Sequence, residues 1–153
     1  MSLTLSSRSD KNLRISLMVL GLIGLVDSTY LTYIKLANAT ASCAGIGDCD
    51  AVNSSKYAEV AGIPIALLGA GAYLTMLVLL FLEKRGGVWQ EQSPLFMFVL
   101  TLIGVLYSAY LTYIEVAILY AICPYCVLSA IILVIMFGIS VYRFIKGIPE
   151  QAD

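Results

Sequence analysis

The chain has 153 residues, 60% of them hydrophobic and 12% charged, with a formal net charge of −1. A soluble domain sits nearer half apolar with about a quarter of its residues charged, so this chain has too little charge to cover a water-facing surface, and it offers no basic field for nucleic acid. It also has no histidine, which leaves cysteine, tyrosine, serine and carboxylate to carry any chemistry.

Four apolar runs, at about 15–36, 62–82, 95–116 and 122–145, reach the ~20 residues needed to cross a hydrocarbon core. Backbone groups in lipid must be paired within their own segment, so each run is expected to be a helix. The fold class is therefore all-α and integral to the membrane: a four-transmembrane-helix bundle occupying 1–153 as one domain. Residues 1–14 are polar and expected to lie outside the first helix.

The longest excursion, 37–61, is expected to hold a short lid helix with Ser54 or Ser55 as N-cap. Gly62 and Pro64 then open the second helix, Pro64 in its first turn, where a missing N–H costs little. Gly69 and Gly71 are candidates for close backbone approach. "EKRGGVWQEQSP" reads as the turn between the second and third helices, with Trp89 at the membrane interface.

Basic residues set the orientation. Arg8, Lys11 and Arg14 precede the first helix, Lys84 and Arg85 separate the second and third, and Arg143 and Lys146 follow the fourth. Four spans bring these segments to one side, which the positive-inside rule makes cytoplasmic, with both termini. A cleaved signal peptide is the competing reading of the N-terminus. Its apolar region would be about 7–15 residues long, whereas this run is longer, carries Asp27 and recurs in mid-chain.

That recurrence is specific: "IGLVDSTYLTYIKL" (23–36) returns as "IGVLYSAYLTYIEV" (103–116). One helix intervenes, so both copies run from cytoplasm to exterior, and each is followed by a cysteine pair, Cys43/Cys49 and Cys123/Cys126. All four cysteines are thus expected on the extracytoplasmic side. Tyr30 with Tyr33, and Tyr110 with Tyr113, share a helical face at i, i+3 and read individually as interface anchors.

"CPYC" sets two sulfurs one turn apart at the head of a helix, where the dipole favours a thiolate. A disulfide across so short a loop restricts the unfolded chain little, so exchange is its natural use. "CAGIGDCD" places two glycines between Cys43 and Cys49, making a pliable pair. Four cysteines admit three pairings. Electrons taken from thiols need an acceptor, and with no haem, flavin or dinucleotide signature a lipid-soluble quinone beside Cys126 fits what is left. Asp27, ionisable within a span, is either functional or part of a polar network with Ser108 or a tyrosine. Two other readings use the same cysteines: a non-enzymatic membrane scaffold with structural disulfides, and a four-thiolate metal-binding protein.

With four spans, Cys43…Cys49, the downstream "SSKY", "GIP" opening the second helix and Cys-x-x-Cys heading the fourth, the chain resembles the vitamin K epoxide reductase family in its bacterial branch. The resemblance implies a thiol relay that supports disulfide formation in exported proteins. Cys43 would exchange with a separate thioredoxin-like protein outside the membrane, Cys49 would attack Cys123, and Cys126 would pass electrons to a quinone such as menaquinone or ubiquinone. Ser55 matches the family's loop serine. Cys126, Ser55, Ala66, Tyr113 and Ala130 are the implied quinone-binding positions, and no metal is implied. Vertebrate members carry tyrosine where this chain has Ala130, and an asparagine in the second helix that is absent between Gly62 and Leu82. Both departures point away from epoxide reduction and leave quinone reduction. Cys43 is expected to be accessible and Cys126 shielded by lipid.

Overall fold

The computed structural model describes residues 2–43 and 45–151. Helix α1 (Ser2–Leu36) ends at the expected point but starts earlier than its apolar run. Neither glycine nor proline interrupts the chain before Gly21, so the backbone ladder continues through the polar segment. There Ser16 donates to the Asn12 carbonyl at 3.0 Å and Asp10 pairs with Lys146 at 3.8 Å.

The excursion contains a helix, but not where the serines placed it. Helix α2 (Cys49–Ser54) is N-capped by Asp48, whose side chain accepts from the Ala51 N–H at 2.9 Å. Ser55 closes this helix instead, turning its hydroxyl back to donate to the Val52 carbonyl at 2.7 Å, and a single 3-10 turn (Lys56–Ala58) follows. A miniature hairpin then joins β1 (Glu59–Val60) to β2 (Ile63–Pro64). Ala61 and Gly62 both have positive φ, the requirement of a tight hairpin turn that matches strand twist. Pro64 is therefore extended, and α3 (Ile65–Arg85) starts one residue beyond it.

The loop between α3 and α4 is also shorter than expected. Gly86 and Gly87, both at positive φ, complete it, and α4 (Val88–Ile114) takes up the polar residues that follow. Pro94 lies inside α4, in its second turn, where its missing N–H removes the bond to the Gln90 carbonyl close to the helix start. A π-helical turn (Glu115–Leu119) extends α4, left-handed Tyr120 ends it, and α5 (Pro124–Gln151) begins on the proline that pre-sets its φ.

The four long helices close a ring in which α1 packs on α3, α3 on α4, α4 on α5 and α5 on α1. All four are long and apolar enough to cross a membrane. The axis is filled by Leu17, Tyr73, Met76, Leu80, Met97, Ile132 and Met136, while residues such as Val26, Leu106 and Val134 point outward as a lipid-facing surface requires.

Glycine sets two of the contacts. A Cβ on Gly24 would overlap the Tyr73 ring, and one on Gly104 would meet Leu133 at 3.0 Å. Of the two glycines singled out in α3, Gly69 approaches Ser28 as expected, whereas a side chain at Gly71 would meet nothing.

The two ends of the bundle are tied differently. Where α3 gives way to α4, buried Glu83 accepts from Ser93 at 2.9 Å and pairs with Arg143, joining three helices. At the cysteine end Lys35, the last basic residue of α1, donates to the Asn53 carbonyl at 2.8 Å and pairs with Glu59 at 3.1 Å, anchoring α2 and the hairpin.

Candidate functional site

Both cysteine pairs lie at the same end of the bundle. Cys43 and Cys49 form a disulfide with their Cα atoms 6.0 Å apart, while Cys123 and Cys126 are free thiols. Cys43 is half-buried and Cys49 is buried at the first turn of α2, its N–H directed at the Cys43 sulfur at 3.2 Å.

The loop carrying this disulfide docks through its backbone. The Asp48 N–H, one residue before Cys49, donates to the Ile122 carbonyl, one residue before Cys123, at 2.9 Å. Gly47 makes this approach possible: its φ is +79°, and a Cβ there would run into that same carbonyl and reach Pro124 at 3.1 Å. A second tether runs from the Tyr125 hydroxyl to the Ser42 carbonyl at 3.3 Å, with the Tyr125 ring tilted against Tyr30.

Cys123 is fully buried, and Glu115 shapes its surroundings. The Glu115 carboxylate accepts from the Cys123 N–H at 3.0 Å, and its backbone carbonyl accepts from the Ala121 N–H at 3.1 Å as the π turn unwinds. One residue therefore satisfies the chain on both sides of the bend leading to the Cys-x-x-Cys. Glu115 is not among the candidate residues that the sequence offers. A carboxylate at the end of an apolar span was the available signal.

Behind the cysteines lies a cavity of about 390 Å³, within the range of small-molecule sites. Cys123 and Cys126 both line it. So do Ser55 from the end of α2 and Ala66 from the start of α3, two of the positions expected to meet a quinone. Tyr113 and Ala130 do not. Tyr113 is 64% exposed on the outer face of α4, and the cavity-facing stripe of that helix runs instead through Tyr107, Ser108 and Leu111. On α5 the stripe is Cys126, Ser129 and Leu133, spaced by three and four. Ala130 is one position, a quarter-turn and more, off that stripe.

The repeated segment acquires a structural meaning here. Asp27, Ser28 and Leu31 from the first copy line the cavity, and so do their counterparts Tyr107, Ser108 and Leu111 from the second. The copies are two walls of one chamber. Their ends diverge: Lys35 holds the lid, while its counterpart Glu115 holds Cys123. Tyr30, Tyr33, Tyr110 and Tyr113 stay largely on the outside, as anchors would. Tyr73 instead crosses the bundle, its hydroxyl 2.9 Å from Ser129 Oγ. No hydrogen bond joins Asp27 to Ser108 or to a tyrosine among the described residues.

A four-helix bundle with a docked loop disulfide beside a helix-heading Cys-x-x-Cys agrees with the comparison to known families, in which the model described as "Vitamin K epoxide reductase family" matches residues 15–141. The chain belongs to that family. Over 123 residues it is 32% identical to a protein of Arabidopsis thaliana named thiol-disulfide oxidoreductase LTO1, a match covering 76% of this chain and 33% of that protein. The chain thus spans about a third of that relative's length. All four cysteines, Asp27 and Glu115 fall within the family match, whereas Arg143 and Lys146 lie beyond it.

Proposed function

We propose that this family member is a membrane thiol:quinone oxidoreductase, which reoxidises a thioredoxin-like partner outside the membrane and so supports disulfide formation in exported proteins. The observation that carries this reading is the hydrogen bond from the Asp48 N–H to the Ile122 carbonyl. It joins the peptides next to Cys49 and Cys123, the two sulfurs between which a relay must pass. Half-buried Cys43 stands on the loop side of that junction, and Cys126 faces the chamber on the other.

Each exchange breaks one S–S bond and forms another. A thiolate of the partner attacks Cys43 and frees Cys49, and the second partner thiol resolves the mixed disulfide, leaving the partner oxidised and Cys43 and Cys49 reduced. The Cys49 thiolate then attacks Cys123 of a Cys123–Cys126 disulfide, and Cys43 resolves that bond. This restores Cys43–Cys49 and leaves Cys123 and Cys126 as thiols, the pairing seen in the structure. The chamber fits a quinone: its walls are mainly apolar, it is bordered by Cys126, and buried Asp27 reaches it with no partner of its own. A quinone supplies a two-electron, two-proton acceptor, so that dithiol plus quinone gives disulfide plus hydroquinone. Glu115 contributes by holding the Cys123 backbone, and Ser55 by ending the helix that closes the chamber.

The basic residues at the α3–α4 end support an orientation that places that end in the cytoplasm and the cysteines outside. The test mixes the purified chain with a reduced thioredoxin-like protein and a short-chain quinone and follows quinone absorbance, with Cys126→Ser alongside. Turnover that disappears in the variant is the expected result. A folded wild-type protein that turns over none of several quinones would overturn the reading.

A further inference from the structure

Asp27 is used neither by the packing of the bundle nor by the thiol relay. It is only 7% exposed, within the apolar run of α1, and neither carboxyl oxygen has a hydrogen-bond partner among the described residues. Several other buried polar side chains do have partners. Glu83 has Ser93 and Arg143, Glu115 has the Cys123 N–H, Thr32 has the Ser28 carbonyl, and Tyr73 has Ser129. Leaving one buried carboxyl unpaired opposes folding.

Its surroundings define what it can bind. Asp27 lines the chamber that Cys126 also lines, and no lysine or arginine is among the lining residues. A carboxyl with no cation, in a chamber mainly walled by apolar side chains, suits a neutral ligand with a hydrogen-bonding oxygen. Its neighbour Ser28 faces Gly69, and at the matching position of the second repeat copy the chain carries Tyr107, which lines the same chamber.

We infer that Asp27 is a ligand-recognition residue, whose carboxyl donates a hydrogen bond to a ring carbonyl oxygen of the quinone and thereby holds the head group in the compartment of Cys126. This rests on the quinone reading above. The ligand makes the bond that the protein's own residues leave unmade, so Asp27 opposes folding on its own and favours the folded state once a quinone binds.

The test measures thermal unfolding of the full chain in detergent, with and without menadione or a short-chain ubiquinone, for wild type, Asp27→Leu and Asp27→Asn. A ligand that binds only the folded state raises the midpoint in proportion to its affinity. Without quinone, Asp27→Leu is expected to melt above wild type. With quinone, wild type shifts upward, Asp27→Leu loses the shift, and Asp27→Asn, which keeps an N–H donor, retains part of it. The KM for quinone rises about tenfold in Asp27→Leu, the loss of one well-made hydrogen bond.

Equal shifts in wild type and Asp27→Leu would overturn the role of Asp27 and leave the quinone reading standing. No shift in wild type with either probe would overturn both. An Asp27→Leu protein that is less stable than wild type without quinone, or does not fold, would mark Asp27 as structural and overturn the inference.

Discussion

Gly45 and Gly47 lie between the same two cysteines and share a φ of +79°, yet among the described residues a Cβ added at Gly47 would meet a neighbour and one at Gly45 would not. Replacing either by alanine forces a Cβ into the left-handed region at a cost of about 1–2 kcal/mol. That strain belongs to the loop whether or not it is docked, so Gly45→Ala should leave the docking equilibrium nearly unchanged. In Gly47→Ala the new Cβ also meets the Ile122 carbonyl and Pro124. The carbonyl must move, and the bond from Asp48 goes with it, a further loss of roughly 0.5–1.5 kcal/mol before any steric cost. This second penalty exists only in the docked state. At 1.4 kcal/mol per factor of ten, electron passage from Cys43/Cys49 to Cys123/Cys126 should slow about tenfold in Gly47→Ala and little in Gly45→Ala. The assay reduces the loop pair with a small dithiol while Cys123–Cys126 is oxidised, quenches with acid at intervals, and counts alkylated cysteines by mass spectrometry. Equal transfer rates in the two variants would refute the docking argument.

Removing the Glu115 carboxylate by Glu115→Ala leaves the buried Cys123 N–H unsatisfied and should destabilise the bend by about 1–3 kcal/mol, whereas Glu115→Gln keeps an acceptor and should lose less; unfolding midpoints in detergent check the order, and equal losses would dismiss the hydrogen bond. At the other end, Arg143→Met leaves Glu83 buried without its cation and should cost about 3–5 kcal/mol. The double change Glu83→Leu with Arg143→Met should recover most of that loss, and a double variant no more stable than the single would show that the pair is not the cause.

Much of this architecture is local. Four apolar runs in a chain of 153 residues commit the backbone to helices, because lipid offers no other partner to its N–H and C=O groups. Pro124 starts α5 as expected, and the repeated segment directs both cysteine pairs to one end. The misplacements are informative for the same reason. Ser54 and Ser55 both look like N-caps, but Asp48 sits where its carboxylate reaches the Ala51 N–H, so α2 forms earlier and Ser55 becomes its end. Pro94 looks like a helix boundary, but it falls close enough to the start of α4 to remove a single bond.

The site depended on relations that no local pattern contains. That Tyr107 faces the chamber while Tyr113 faces outward follows from the rotation of α4 against its neighbours, which packing at Gly104 and Leu133 decides. Glu115 reads in sequence as a charge at the end of a span, and only the π turn brings its carboxylate back to Cys123. Asp27 could equally have paired with Ser108; helix rotation set both residues on the chamber and left the carboxyl without a partner. The sequence by itself determined the number of spans, their order and the cysteines available, because hydrophobicity and chain order act residue by residue. The tertiary structure alone decided which side chains share the chamber and which polar groups remain unpaired, since these depend on how four helices turn toward one another.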